Sequence, residues 1–137
     1  MPNNQIAPLL NRVGQLLAED ADYPSEDTLL YAKLNNNYVA PSIFKDIGDH
    51  ILYRYPDLET LGDALLDLWE AEDPNKRWTE MEYVVRGGKF RATYTYADEV
   101  NPDEDPFDRR DRIVAKHFGK KRIIYPQPPD DAVKYDP

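Results

Sequence analysis

The sequence predicts an α+β fold, in which an antiparallel β-sheet of about four to five strands carries three helices packed mainly on one face. Three observations predict it: three segments repeat apolar residues at helical spacing, several runs between them are rich in strand-forming residues, and a Gly-Gly pair joins two of those runs. Consecutive hairpins favour an antiparallel sheet, and amphipathic helices need a sheet face to cover. We therefore expect one covered face and one face that meets solvent or a partner.

The first helix is predicted over residues 6–18, where six apolar residues recur on one side. Runs of strand-forming residues follow a polar loop, and three consecutive asparagines mark a tight turn between the first two runs. The proline in the second run predicts a break there. The predicted elements are a loop over 20–27, strands over 28–34, 38–44 and 50–55, a turn at Asn35, Asn36 and Asn37, and the break at Pro41.

The second helix is predicted to begin after Pro56, with Asp57 as its N-cap. An interior glycine, Gly62, costs about 1 kcal/mol relative to alanine at such a position. The helix is expected to end in the polar segment 73–75. The stripe predicted to be buried consists of Leu58, Leu61, Leu65, Leu68 and Trp69.

A β-hairpin is predicted over residues 78–97. Gly87-Gly88 separates two runs of strand-forming residues, and a two-residue glycine loop suits a type I′ turn. With that register, the pairs on one face are mostly apolar: Val85 with Phe90, Tyr83 with Ala92, Met81 with Tyr94, and Thr79 with Tyr96. The other face, which we expect to be the exposed one, carries Glu80, Glu82, Arg91, Thr93 and Thr95.

The third helix is predicted from Pro106 to Phe118, with Asp105 as N-cap and Gly119 just past its end. A short strand over 123–125 follows. Residues 126–137 are proline-rich and polar, which predicts an extended or disordered tail. The predicted organisation is a single domain over 1–125 and a tail over 126–137.

Seven carboxylates lie between positions 57 and 73, without a single Lys or Arg. Several project from one side of the second helix, where like charges cost roughly 0.2–0.5 kcal/mol per pair. A basic partner would explain the stripe, and so would a solvated face kept acidic for solubility. The candidate partner-binding residues are Glu59, Asp63, Asp67, Glu70 and Asp73, followed by Glu99, Asp103 and Glu104 of the acidic loop 99–105.

The net charge of −9 argues against direct binding to nucleic acid or anionic membranes, because both need clustered Lys and Arg. It favours a basic macromolecule as partner. The absence of cysteine excludes disulfides and thiolate metal sites within these 137 residues and fits a reducing compartment. The first residues lack the features of a signal peptide, so we expect a cytoplasmic protein. The sequence does not indicate the oligomeric state.

The residue types needed for catalysis are poorly represented. The two serines, Ser25 and Ser42, lie outside any nucleophile motif, and the two histidines, His50 and His117, are interpreted as structural. Residues 103–105 lack the alternation and central glycine of a calcium loop. We predict no enzyme activity, no catalytic residue, no cofactor and no metal site; a hydrolase with a carboxylate-and-metal site is the less favoured alternative.

The hairpin and third helix carry a recognisable pattern. It runs Trp78-x4-Tyr83, Gly88-Lys89-Phe90 and Tyr94-x-Tyr96, then Asp105-Pro106 with Arg109-Arg110, and finally Lys116-His117-Phe118-Gly119. The pattern resembles the YezG-like family of antitoxin and immunity proteins, which accompany polymorphic toxins of bacteria. The resemblance covers roughly residues 52–125, and its motifs are mainly structural.

The resemblance implies a small cytoplasmic protein that neutralises a cognate toxin domain, often a nuclease, by binding it. Nuclease domains carry basic grooves for phosphate, and an acidic surface can occupy such a groove. The alternative is a non-catalytic scaffold or regulatory module that binds an unrelated basic partner.

Overall fold

The computed structural model describes residues 5–127, so residues 128–137 of the predicted tail lie outside the described residues. The helices and strands follow the predicted order. They are α1 (Ile6–Leu17), β1 (Thr28–Leu34), β2 (Val39–Asp46), β3 (Ile51–Arg54), α2 (Leu58–Glu70), β4 (Glu80–Arg86), β5 (Lys89–Thr95), a 3-10 helix (Ala97–Glu99), α3 (Pro106–Phe118) and β6 (Ile123–Ile124).

Within residues 5–127, the strands form one six-stranded sheet in the order β5-β4-β1-β2-β3-β6. Every pairing is antiparallel except that of β3 with β6, which is parallel. The predicted α+β class is therefore confirmed, and the sheet has slightly more strands than the four to five expected. The predicted break at Pro41 is wrong: β2 continues through it, and Pro41 lies where β2 pairs with β1 alone, so β3 needs no hydrogen bond from it.

The hairpin has the predicted turn and register. Gly87 and Gly88 both have positive φ, +61° and +71°, as a type I′ turn requires. The pairs Val85–Phe90, Tyr83–Ala92 and Met81–Tyr94 are all present. The ladder ends at Glu80–Thr95, where the Thr79 N–H donates to the Thr95 carbonyl at 2.8 Å, so the fourth predicted pair is not part of it.

Helices α1 and α2 pack on one face of the sheet and form the larger core. Both strand and helix residues contribute because alternate residues of β1 and β4 point to this face. The buried members are Val13, Leu17, Leu30, Ala32, Leu34, Ile43, Leu61, Ala64, Leu65, Leu68, Trp69, Trp78, Met81 and Tyr83. Leu58, predicted to join this stripe, is instead 65% exposed at the first position of α2.

Helix α3 covers part of the opposite face, so the expectation of a single covered face is wrong. Its buried residues Ile113, Val114 and Phe118 pack with Leu29, Tyr31, Phe44, Ile51 and Val84 of the strands. Glu80 and Glu82, which we expected on an exposed face, are only 2% and 4% exposed. The burial is possible because α3 supplies cations to both carboxylates, as described below.

Candidate functional site

Helix α2 displays the predicted acidic stripe to solvent. Its N-cap is Asp57, whose carboxylate accepts hydrogen bonds from the backbone N–H groups of Glu59 and Thr60 at 3.1 and 3.2 Å. The opposite side of the helix is buried, and the Trp69 Nε1–H donates to the Trp78 carbonyl at 2.7 Å. The exposed carboxylates are Glu59, Asp63, Asp67 and Glu70. The helix that carries these carboxylates is therefore held against the protein by its buried side.

The stripe is compensated at one point, which the sequence did not indicate. Arg12 of α1 reaches Asp67, with 3.3 Å between Nη1 and Oδ2. Both side chains are about half exposed, at 46% and 56%, and exposed pairs of this kind contribute little. Among the described residues, Glu59, Asp63 and Glu70 have no cation within ion-pair distance.

The carboxyl end of α2 is stabilised by a cation from the next loop. The Arg77 guanidinium donates to the carbonyls of Trp69 and Glu70 at 3.2 and 3.1 Å and stacks on the Trp69 ring. Asp73 follows the helix in an exposed turn, where its carboxylate accepts from the Asn75 N–H at 2.9 Å. Asp73 thus extends the acidic face beyond the helix end.

Some carboxylates of the acidic loop 99–105 are exposed to a partner, and one is already bonded to arginines of α3. Glu99 is exposed but accepts a hydrogen bond from the Tyr96 N–H at 2.9 Å, and Asp103 is exposed. Glu104 bonds Arg112 at 2.9 and 3.0 Å and lies 3.5 Å from Arg109. The hydrogen bond from Arg112 holds the pKa of Glu104 below its usual range. Glu104 therefore fixes α3 and has little capacity left for a partner.

The structure brings part of the loop to the end of the acidic helix. Asn75 and Lys76, just after Asp73, line one shallow depression together with Asp98 and Glu99. Glu104 lines a different depression, beside Lys33 and Arg109. The predicted residues from Glu59 to Asp73 are therefore exposed along α2 and just after it, Glu99 lies beside Lys76 beyond the helix end, and Glu104 belongs to the α3 side.

A polar cleft of about 330 Å³ lies between the end of α1 and the start of α2. Lys45 at its base is 2% exposed, and its Nζ donates to the Pro24 carbonyl at 2.7 Å and the Thr28 hydroxyl at 2.9 Å. Burial lowers the pKa of Lys45. The Arg54 guanidinium donates two hydrogen bonds to the Asp20 carboxylate, at 2.7 and 2.9 Å. Burial raises the pKa of Asp20, but the hydrogen bonds from Arg54 outweigh the effect of burial, so the pKa is below its ordinary value.

The two histidines are each engaged by a carboxylate. His50 Nδ1 lies 2.6 Å from Asp49 on the surface, and His117 Nε2 lies 2.7 Å from the buried Glu82. Within residues 5–127, no group of three or more His, Cys, Asp or Glu side chains is arranged to hold a metal ion. No helix in the same range is long and apolar enough to cross a membrane.

Neither a scan against protein-family models nor a search of curated proteins finds a match to this chain. The arrangement of the side chains is therefore the basis for assigning a function. Its most prominent feature is the acidic face of α2.

Proposed function

We propose that this protein is an immunity protein that binds a cognate toxin domain, a basic nuclease, and neutralises it. The observation that carries the proposal is the exposed acidic face of α2, which within residues 5–127 is compensated by Arg12 at one position only. The resemblance of the hairpin and α3 motifs to YezG-like immunity proteins supports the same role. An immunity protein of this kind acts in the cytoplasm, where we propose that this chain resides.

The proposed mechanism is electrostatic occupation of a phosphate-binding groove. Three leucines of α2 are buried against the sheet, so the helix backbone that carries the outward carboxylates needs no ordering when a partner binds, and only the carboxylate side chains lose freedom. Complementary charge speeds the encounter of two proteins and disfavours partners of the wrong sign. A toxin whose basic groove is filled by this helix would be unable to bind its nucleic acid. The chain itself performs no covalent step in this mechanism.

The contributions of the acidic residues should differ. In the described part of the chain, Glu59, Asp63 and Glu70 have no cation within ion-pair distance of their carboxylates, so they are the strongest candidates for direct contact. Asp67 would exchange its pairing with Arg12 for a pairing with the partner. Asp73 and Glu99 extend the surface at one end, followed by the exposed Asp103. Glu104 is the weakest candidate because two arginines already hold it.

The test is binding to the toxin encoded beside this protein, with Asp63→Lys and Glu70→Lys combined. The matched control combines Asp108→Lys and Asp111→Lys, which changes the net charge equally at exposed positions of α3, on the opposite face of the sheet. We expect the face variant to associate at least tenfold more slowly at low salt and to lose protection against the toxin. The control should do neither.

Equal association rates for the face variant and the control would remove α2 from the interface. A genome without a neighbouring toxin gene, combined with binding of the face to an unrelated basic protein, would favour the scaffold alternative instead. Turnover of a substrate by the purified protein alone would overturn the proposed role.

A further inference from the structure

The strands at the two edges of the sheet differ in length. At one edge, the short strand β6 runs beside β3. At the other edge, β5 pairs with β4 and has no second neighbour among the strands of residues 5–127. This edge is seven residues long, contains no proline and is mostly exposed. A strand of this kind offers a row of unpaired backbone groups to another chain.

The turn geometry determines which backbone groups face outward. Arg86 and Lys89 flank the two-residue turn and form a hydrogen-bonded pair, so every second residue from Lys89 directs its N–H and C=O toward β4. The groups of Phe90, Ala92 and Tyr94 therefore point away from the sheet. Among the described residues, none hydrogen-bonds to these three N–H groups or carbonyls outside the strand.

The side chains of β5 have opposite character on its two faces. Lys89 and Arg91 lie on the α3 side, both exposed, and neither contacts a carboxylate among residues 5–127. On the other side, Phe90 is 39% exposed and stacks on Tyr83 at 4.8 Å, while Tyr94 stacks on Trp78 at 5.5 Å. One face of the edge is basic and the other is aromatic.

Three carboxylates near this edge already have partners within the protein. Glu82 is held by Lys116 at 2.6 Å and His117 at 2.7 Å. Glu26 accepts from the N–H groups of the Gly87-Gly88 turn, and Asp27 lies 3.9 Å from Arg86. A groove of about 380 Å³ continues from the edge toward α3, lined by Val84, Arg86, Lys89, Phe90, Arg91, Thr93 and His117.

We propose that the β5 edge binds, by strand addition, an extended segment of another protein in which acidic and apolar residues alternate. Backbone groups of Phe90, Ala92 and Tyr94 would pair with the added strand. Its acidic side chains would lie opposite Lys89 and Arg91, and its apolar side chains opposite the aromatic face. This surface is distinct from the acidic face of α2. The β5 edge suits an acidic partner, and the α2 face suits a basic one.

A second copy of this chain is a less suitable occupant. Antiparallel pairing of two β5 strands centred on Ala92 would place the two Arg91 side chains diagonally on the same face. Diagonal neighbours lie about 7–8 Å apart, within reach of long side chains, so the two like charges would repel each other. An acidic segment replaces this repulsion by attraction.

The experiment uses the full-length protein and a synthetic peptide of about nine residues that alternates Glu with Val. We expect the peptide to slow amide hydrogen exchange at Phe90, Ala92 and Tyr94 and to bind more weakly as salt rises. Two control peptides define the mode: one with Lys in place of Glu, and one N-methylated at the amides that would face β5. Both should bind at least tenfold more weakly.

Variants locate the site on the protein. Lys89→Glu should weaken peptide binding about fivefold, whereas Lys120→Glu, the same change at another exposed lysine, should leave it unaltered. Ala92→Pro removes an outward N–H but no bond to β4, so it should reduce binding while the circular dichroism spectrum stays native.

Several results would overturn the proposal. These are equal binding of the N-methylated peptide, exchange protection elsewhere than on β5, tighter binding of the Lys peptide, or equal effects of Lys89→Glu and Lys120→Glu. Preferential capture of a single-stranded oligonucleotide by Lys89 and Arg91 would identify a different class of ligand. Self-association abolished by Ala92→Pro would identify a second copy as the occupant.

Discussion

Helices α1 and α2 contact the sheet mainly through apolar side chains, and α2 directs its carboxylates outward, whereas α3 contacts the sheet through both apolar and charged groups. On the α3 side, Arg109 binds Glu80 at 2.8 Å, and both side chains are nearly buried, at 11% and 3% exposure. Glu82 is likewise held by Lys116 and His117. The carboxylates on the two sides therefore have different roles. Those of α2 are available to a partner, and those of β4 hold α3 against the sheet.

The largest loss of stability is expected when the charged contact on the α3 side is broken. Glu80→Ala leaves the Arg109 guanidinium buried, with Glu104 at 3.5 Å as the one remaining carboxylate partner among the described residues. We expect the free energy of unfolding at pH 7 to fall by about 3–5 kcal/mol, measured by urea denaturation. Replacing both partners by Glu80→Leu and Arg109→Met should restore most of the stability. A loss below about 1 kcal/mol for Glu80→Ala would contradict this description of the α3 side.

The next largest effect tests how closely the apolar side is packed. A Cβ on Gly14 of α1 would lie 2.6 Å from the Tyr83 hydroxyl, which donates to the Leu10 carbonyl at 2.9 Å. Gly14→Ala should therefore lower the free energy of unfolding by about 1–3 kcal/mol. Gly62→Ala is the matched control: a Cβ there meets nothing within 4 Å, so this change should stabilise α2 by up to about 1 kcal/mol. Equal effects of the two substitutions would contradict the close approach of α1 to β4.

A smaller effect concerns acid stability on the α3 side. Burial raises the pKa of Glu82, but the hydrogen bonds with His117 and Lys116 outweigh it and hold the pKa below its ordinary value of 4.5. A carboxyl with a depressed folded pKa contributes stability above about pH 4.5, and this contribution is lost as the pH falls through the folded pKa. Glu82→Gln should therefore reduce the slope of stability against pH below this value. The measurement is a series of urea titrations, with Glu59→Gln on the acidic face as the control.

The smallest effect is expected on the acidic face itself. Asp63→Lys should change the free energy of unfolding by no more than about 0.5 kcal/mol, because the residue is exposed and has no internal partner among the described residues. Thermal denaturation of this variant beside Glu80→Ala measures the contrast between the two sides directly. A loss above about 2 kcal/mol would mean that the carboxylate supports the fold.

Local chemistry made much of this fold predictable. The glycines at 87–88 require a turn with positive φ, and Asp57 and Asp105 cap α2 and α3 as expected. The exposure of the acidic stripe also followed from the spacing of the leucines on the opposite side. These features depend on residues within a few positions of each other.

The features that the sequence did not indicate depend on distant residues. Glu80 and Glu82 alternate with apolar neighbours as exposed residues do, and their burial depends on where α3 lies relative to β4. Arg12 and Asp67 are paired because α1 and α2 lie side by side. The prediction for Glu104 could not account for the two arginines that hold it, since they become its neighbours only once α3 forms.

The buried amine of Lys45 makes the cleft beside α1 chemically measurable. An acylating reagent reacts with neutral amines that it can reach, and Lys45 is 2% exposed with its nitrogen bonded to Pro24 and Thr28. Its acylation in the native protein would therefore wait for a local opening of this end of the sheet. Lys45 thus provides a natural reporter of how often the loop after α1 separates from β2, read by mass spectrometry without any label being introduced.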